Sequence, residues 1–136
     1  MSGSEDFFDT NVLLYLLSAD AAKADRAEEL LAIGGTISVQ VLNEFAAVAS
    51  RKLRMSWIEI REVLAQIRAV CAVAPMTVET HDRAVRIAER YSLSIYDALI
   101  VSAALLADCK TLHSEDMQDG QVIERRLTIR NPFANT

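Results

Sequence analysis

Four carboxylic acids lie beside segments of the chain that are otherwise apolar. Asp97 opens the run YDALIVSAALLA, a predicted helix that is apolar nearly all the way round and is therefore expected to be buried. Glu44 lies in VLNEFAAVA at the border of an apolar stripe, Asp9 ends the aromatic segment FFD, and Asp116 lies in the acidic loop HSEDMQDG. A buried carboxylate needs a cation, hydrogen-bond donors or a proton, so these acids are candidates for chemistry.

Each acid taken alone also has a purely structural interpretation. Asp97 is suited to cap its helix and to complement the helix dipole. When Asp97 is considered by itself, this structural interpretation is favoured. Glu44 is compatible with an exposed position at the edge of a helix, and Asp9 and Asp116 are compatible with turns. The case for chemistry therefore depends on all of them lying at the edges of one folded core.

The balance of charge counts against a simple nucleic-acid binder. The chain has 14 Lys and Arg residues against 19 Asp and Glu residues, which gives a net charge of −5. Phosphate attraction normally requires a basic surface, so an acidic chain suits a polyanionic partner only if some of its acids surround cations. The arginines are then the candidates for contacts with phosphate.

Length and composition favour one ordered domain over residues 1–136, because 51% of the residues are hydrophobic and Gly and Pro are few. Met1–Ser4 is expected to be disordered or a cloning remnant. Cys71 and Cys109 do not make a disulfide framework and are expected to be buried free thiols. The N-terminus lacks the basic region of a signal peptide, and the longest apolar stretch is too short to cross a bilayer. The sequence therefore predicts a cytoplasmic protein.

Short apolar runs alternate with helical periods along the chain. This alternation predicts a three-layer α/β/α sandwich with a mainly parallel central sheet. Strands are predicted at Asp6–Asp9, Thr36–Ser38, Cys71–Ala74 and Lys110–His113, and Val122–Ile123 and Leu127–Ile129 are expected to form one or two final edge strands. In such a sheet, ligands bind beyond the carboxyl ends of the strands where the strand order reverses, so Asp9 and the loop Ser114–Asp119 are expected on the same rim.

Helical periods separate these strands. The predicted helices comprise a short one from Asn11 capped by Thr10, one that begins after a Ser56–Glu59 capping box, and four others: Ala21–Ile33, Val39–Lys52, Thr77–Tyr91 and Tyr96–Ala107. Two of them have specific faces that are expected to be buried. The first face comprises Trp57, Ile60, Leu64 and Ile67, and the second comprises Val78, His81, Val85, Ala88 and Tyr91.

Several blocks of the sequence, taken in order, resemble one known family. They are FFDTN (Phe7–Asn11), VLNEF (Val41–Phe45), YDALI (Tyr96–Ile100), LHSEDMQDG (Leu112–Gly120) and the final NPF (Asn131–Phe133). Their order and separation resemble the PIN-domain family and are especially similar to the VapC-type toxin ribonucleases. The resemblance spans nearly the whole chain, from Asp6 to Phe133.

The resemblance implies roles for particular residues. The metal-binding and catalytic acids would be Asp9, Glu44, Asp97 and Asp116. Supporting roles would fall to Thr10, Asn11, Ser114 and Asp119, with Asp119 also an alternative to Asp116 as the fourth acid. Glu115 is a secondary candidate, and His113 stands where the family would place an aromatic or aliphatic residue.

The implied activity is hydrolysis of RNA phosphodiester bonds by an endoribonuclease that depends on Mg²⁺ or Mn²⁺. Such an ion prefers hard oxygen ligands, activates water and relieves the charge of the phosphate, which is suited to in-line attack by water. The resemblance further implies the toxin of a toxin-antitoxin pair, with a protein antitoxin as partner and a homodimer as assembly.

Two other functions remain open from the sequence. The first is a PIN-like fold that is catalytically silent and retained for binding RNA or a protein partner. The second is an aspartyl-phosphate phosphotransferase, also an α/β protein with an Asp after its first strand. Against the second, position 11 is Asn where enzymes of the haloacid dehalogenase type have another Asp.

Overall fold

A computed structural model describes residues 5–134 and shows a six-stranded sheet in the order β3-β2-β1-β4-β6-β5. The expectation for Met1–Ser4 lies outside the described residues. All neighbouring strands are parallel except β5 and β6, which pair antiparallel. The strands are β1 (Asp6–Phe8), β2 (Gly35–Ser38), β3 (Cys71–Ala74), β4 (Thr111–His113), β5 (Val122–Ile123) and β6 (Leu127–Arg130).

Six α-helices in the described part of the chain surround this sheet, close to the segments that the sequence predicts. They are α1 (Thr10–Leu14, continued by a 3₁₀ turn at Tyr15–Leu17), α2 (Ala21–Ile33), α3 (Val39–Arg51), α4 (Trp57–Val70), α5 (Val78–Tyr91) and α6 (Ile95–Leu106). The chain steps from β1 to β3 in one direction along the sheet and then returns past β1 to β4. Because parallel crossovers are right-handed, α1–α4 cover one face and α5 and α6 cover the other. The predicted three-layer sandwich is confirmed.

Local capping chemistry fixes where most of these helices begin and end. The predicted capping box at Ser56 and Glu59 is present, since each side chain accepts a hydrogen bond from the backbone N–H of the other. Gly34 ends α2 with φ of 93°, a left-handed conformation that favours glycine. The prediction of Thr10 as the cap of α1 is wrong. Asp9 is the cap, and its carboxylate accepts the Thr10 N–H at 2.7 Å.

Two predicted buried faces are wrong at specific positions. Trp57 is 63% exposed at the start of α4, and Val78 is 76% exposed at the start of α5. His81 is also exposed, because α5 buries Thr80, Ala84 and Ile87 instead. The buried Ser102 hydroxyl of α6 donates to the Thr80 carbonyl at 2.9 Å. Small residues on α5 thus bring it close to α6, and the valines that suggested another face point to solvent.

The two cysteines have the predicted character. Cys71 and Cys109 are buried thiols outside any disulfide, and burial raises the pKa of each to about 11, so both are protonated at neutral pH. None of the helices within residues 5–134 combines the length and the apolar character needed to cross a membrane.

The strand order reverses between β1 and β4, and this point sets the location of the site. β1 and β4 lie side by side with Phe8 opposite His113, so their carboxyl ends open at the same rim. Beyond the strands, the Asp9 N–H donates to the His113 carbonyl at 3.0 Å and holds the two chain exits together. A crevice at such a reversal is where ligands bind in open α/β sheets.

Gly35 allows β2 to lie close against β1. A Cβ atom at this position would come within 2.5 Å of Phe8 Cε2 and 3.0 Å of the Asp6 carbonyl oxygen. Gly35→Ala should therefore lower the free energy of unfolding by about 1–3 kcal/mol through overpacking. Urea denaturation measures this, and Phe8→Leu should reduce the effect in a double-mutant cycle by freeing space. Unchanged stability in Gly35→Ala would contradict the close packing.

Candidate functional site

The carboxyl ends of β1 and β4 open into a cavity of about 350 Å³. It is bounded by the segment that follows β1, by one face of α3, by the first turns of α6 and by the loop after β4. The lining residues are Asp9, Thr10, Asn11, Leu14, Glu44, Ala47, Val48, Tyr96, Asp97, Ile100 and Asp116. The four acids singled out from the sequence therefore reach one cavity from four separate segments of the chain.

Asp9 is the most buried of these acids, with only 6% of its surface exposed. One carboxylate oxygen accepts the Thr10 N–H, and the other accepts the Ser114 hydroxyl at 2.8 Å. Burial raises the pKa of Asp9 to about 6, the two hydrogen bonds oppose the rise, and the charges of Asp116 and Glu44 add to it. The surroundings of Asp9 thus disfavour the charged form of its carboxyl. No cationic side chain in the cavity wall offsets this effect.

Glu44 is held by donors on two sides. The Thr10 hydroxyl donates to its Oε1 at 2.6 Å, and the Gln40 amide nitrogen donates to its Oε2 at 3.1 Å. Gln40 lies four residues earlier, on the same face of α3, which brings its side chain alongside Glu44. The exposed rim position that was the structural alternative for Glu44 does not apply, because both carboxylate oxygens are bonded within the protein.

Asp97 lies in the first turn of α6, where its N–H donates to the Ser94 hydroxyl at 3.1 Å. Burial raises the pKa of the Asp97 carboxyl, and the neighbouring Asp116 charge raises it further. The Ser94 hydroxyl lowers that pKa, and Glu44 makes a smaller contribution that raises it. Asp97 therefore faces the other acids of the cavity as well as occupying a helix terminus.

Asn11 connects the two acids that follow β1 and β4. Its amide nitrogen donates to Asp116 Oδ2 at 3.1 Å and to Asp9 Oδ2 at 3.4 Å, and its oxygen accepts the Glu115 N–H at 3.2 Å. Ser114 adds a second link, since its hydroxyl oxygen also accepts the Asp116 N–H at 3.2 Å. These two residues fix the loop after β4 against the segment after β1.

Asp119 lies apart from the cavity. Its carboxylate accepts the Asn131 N–H at 2.9 Å and so anchors the C-terminal NPF segment. Of the two acids that the sequence left open in this loop, the structure places Asp116 in the cavity wall and Asp119 outside it.

Gln40 and a cluster behind the loop after β4 were not among the residues singled out from the sequence. In that cluster, Tyr15 and Lys23 both donate to Glu115, and the Lys23 ammonium group also donates to Tyr15 at 3.0 Å. Glu115, a secondary site candidate, is therefore an ion-pair partner whose pKa is lowered, first by Tyr15 and then by Lys23. The spacing of Gln40 four residues before Glu44 was a usable signal, whereas nothing in the spacing of the cluster predicts its contacts.

The donor set of the cavity is suited to a hard divalent cation. Carboxylate, hydroxyl and amide oxygens line it, and its wall contains no His, Cys, Lys or Arg. As they stand, no three Asp, Glu, His or Cys side chains within residues 5–134 are arranged to hold one ion. The Asn11 amide nitrogen donates to both Asp9 and Asp116. Asp116 is exposed and Asp97 is half-buried, so neither side chain is fully enclosed by the protein.

Comparison with known sequences identifies the family. The family model for the PIN domain matches residues 7–119, which is most of the chain. This chain belongs to the PIN-domain family. No curated protein sequence matches it significantly.

Solved structures share its fold at low sequence identity. A chain of a toxin-antitoxin complex from Klebsiella pneumoniae matches with a TM-score of 0.71 and 21% identity, over 93% of this chain and 97% of that one. VapC20 of Mycobacterium tuberculosis, described as a toxin that cleaves the sarcin-ricin loop, matches with a TM-score of 0.65 and 21% identity, over 82% and 89%. A chain of VapBC2 from Rickettsia felis, bound to a promoter DNA fragment, matches with a TM-score of 0.64 and 18% identity, over 93% of this chain and 97% of that one. At these identities the matches establish the fold of this PIN domain.

The raised pKa of Asp9 makes the stability of the folded chain depend on pH. Its pKa is about 6 in the folded chain against an ordinary value of 3.8, so the folded state binds the proton more tightly. Stability should therefore fall as pH rises between these values, by about 3 kcal/mol if the whole shift is expressed. Asp9→Asn removes the buried charge and should be more stable than the wild type at neutral pH.

Urea denaturation in EDTA, from about pH 4 to about pH 8, measures this difference. The advantage of Asp9→Asn should shrink toward the acid end, where the wild-type carboxyl is protonated. Asp25→Asn, on the exposed surface of α2, is the matched control. A stability difference between Asp9→Asn and the wild type that stays the same from about pH 4 to about pH 8 would contradict the raised pKa.

Proposed function

We propose that this PIN domain is an endoribonuclease that depends on Mg²⁺ or Mn²⁺ and hydrolyses RNA phosphodiester bonds. The observation that carries the proposal is the convergence of Asp9, Glu44, Asp97 and Asp116 on one cavity at the strand reversal. Capping explains Asp97 alone and turn chemistry explains Asp116 alone. Neither explains why both share a cavity with the buried Asp9.

A divalent ion in this cavity would activate water and offset the negative charge of the phosphate. Asp9 and Asp97 would be its main ligands, with Glu44 and Asp116 binding directly or through water. Mg²⁺ and Mn²⁺ fit better than Zn²⁺, because the cavity wall offers oxygen donors and neither imidazole nor thiolate.

The protein groups around these ligands would orient them. The Thr10 hydroxyl and the Gln40 amide fix both oxygens of Glu44, and the Ser114 hydroxyl fixes Asp9. Asn11 sets the distance between Asp9 and Asp116. His81 and His113 lie outside the cavity wall, so the carboxylates, and not an imidazole, would accept the proton of the attacking water.

The biological setting belongs to the same proposal. The solved structures of similar fold include a toxin-antitoxin complex, a toxin described as cleaving the sarcin-ricin loop, and VapBC2. We infer from this likeness that the chain is the cytoplasmic toxin of such a pair, forms a homodimer and is inhibited by a protein antitoxin. A catalytically silent module that binds RNA or a partner is the second candidate. The observation in its favour is that no three acidic, His or Cys side chains of the described chain already form a metal-binding group.

Replacement of two aspartates separates these alternatives. Asp97→Asn should reduce the rate of RNA cleavage by at least about 100-fold, because it removes a proposed ligand at the reacting centre. Asp119→Asn should retain activity, since Asp119 lies outside the cavity and bonds the Asn131 N–H. Cleavage of a mixed RNA pool with Mg²⁺, with Mn²⁺ and with EDTA measures both variants.

Three results of these cleavage experiments would count against the proposed function. Cleavage that persists in EDTA, or that survives Asp97→Asn unchanged, would overturn the proposed metal-dependent mechanism. RNA binding without cleavage by the wild-type protein in any metal would favour the silent module instead.

A further inference from the structure

Gln40 is a buried polar residue whose contacts are not those of ordinary packing. It lies in the first turn of α3 and is 7% exposed. Its amide nitrogen makes two contacts, one to Glu44 Oε2 at 3.1 Å and one to the Tyr96 carbonyl oxygen at 3.2 Å. The first acceptor is a proposed metal ligand, and the second lies next to Asp97 in the first turn of α6.

These contacts fix which way the amide points. Both acceptors face the nitrogen, and an amide side chain carries two N–H donors, so each donor has its own partner. Rotation of the amide by half a turn would place its oxygen against a carboxylate and a carbonyl, which are both acceptors. The orientation is therefore set by Glu44 and the start of α6 together.

The same orientation leaves the other end of the amide unsatisfied. Gln40 Oε1 is buried and has no hydrogen-bond partner among residues 5–134. A buried acceptor without a partner destabilises a fold, and each such group in a native structure requires an explanation. An apolar side chain of similar size would fill the same space without this penalty, so packing does not account for glutamine here.

We propose that Gln40 is a positioning residue of the acid cavity: its amide holds the Glu44 carboxylate and ties α3 to the first turn of α6 that carries Asp97. This inference rests on the proposed function and extends it to a residue outside the cavity wall. α3 and α6 come from opposite faces of the sheet, and they meet at this rim. Gln40 thus sets the separation between Glu44 and Asp97, two proposed ligands that lie on separate helices.

The effect of Gln40 should be visible in metal affinity. Gln40→Met keeps the length and volume of the side chain and removes both donors. It should weaken Mn²⁺ binding by about 10-fold or more, in the range found for residues that orient metal ligands. Electron paramagnetic resonance of free Mn²⁺ measures this without any RNA. Gln66→Met, on the exposed surface of α4, is the matched control and should bind Mn²⁺ as the wild type does.

A double-mutant cycle distinguishes positioning from a general structural effect. If Gln40 acts through Glu44, then Gln40→Met should cause little further loss of Mn²⁺ affinity in a Glu44→Gln background. An equal loss in both backgrounds would overturn the proposed action through Glu44, because the side chain would then affect the metal site without acting on that ligand.

A measurement on folded protein removes any dependence on the stability of the variant. The side-chain amide signals of Gln40 in ¹H–¹⁵N NMR spectra should shift in Glu44→Gln and on addition of Mg²⁺ to the wild type. Signals that move in neither case would overturn the positioning role. Wild-type protein that binds Mn²⁺ and cleaves RNA, with unchanged affinity in Gln40→Met, would overturn this inference alone. Wild-type protein that binds no Mn²⁺ would overturn both this inference and the proposed function.

Discussion

The buried carboxylate of Asp9 is the constraint on which the site depends. It stands where the central strand ends, and burial raises its pKa to about 6. A fold keeps such a group only by supplying donors or a cation. The donors come from neighbours on both sides: the Thr10 N–H, the Ser114 hydroxyl and the Asn11 amide. Those bonds also hold the loop after β4 against the segment after β1, so one buried charge organises two of the four acid-bearing segments. The nearby charges of Asp116 and Glu44 raise the pKa of Asp9 further.

Topology brings in the other two segments. The reversal of strand order between β1 and β4 opens a crevice into which helices from both faces of the sheet can reach. α3 brings Glu44 from one face, and α6 brings Asp97 from the other. Helix α6 is buried along Ala98–Leu105, so its first turn has little freedom to move. The Gln40 bond to the Tyr96 carbonyl spans the junction of these layers. The acids therefore gain their relative positions from the packing of the whole domain, although each is supplied by a local sequence block.

Local signals in the sequence predicted the elements well, because they depend on neighbouring residues. The Ser56–Glu59 capping box and Gly34 mark helix ends through bonds and dihedral angles that a short segment determines. The prediction of the buried face of α5 was wrong because Val78 and Val85 follow a helical period as regularly as Thr80, Ala84 and Ile87 do. Only the packing of α5 against α6 selects the face that carries Thr80, Ala84 and Ile87. The location of Asp116 could not be read from spacing either. Asp116 and Asp119 differ by three residues in one loop, and tertiary bonds to Asn11 and to Asn131 decide which of them lines the cavity.

The acidic character of the chain and its proposed substrate are reconciled by the same cavity. Under the proposed function, a polyanion must approach four carboxylates whose wall contains no Lys or Arg. Burial is the largest cause of the raised pKa values of Asp9 and Asp97, and the charges of Asp116 and Glu44 raise both pKa values further. A phosphate added to the same space would meet still more repulsion. Under the proposed function, a bound divalent cation would offset much of this negative charge, so it would assist substrate approach as well as chemistry. Arg51, Arg54 and Arg61 are exposed and lie outside the cavity wall, so under the same proposal they are candidates for phosphate contacts that leave the charges of the acids in place for the ion.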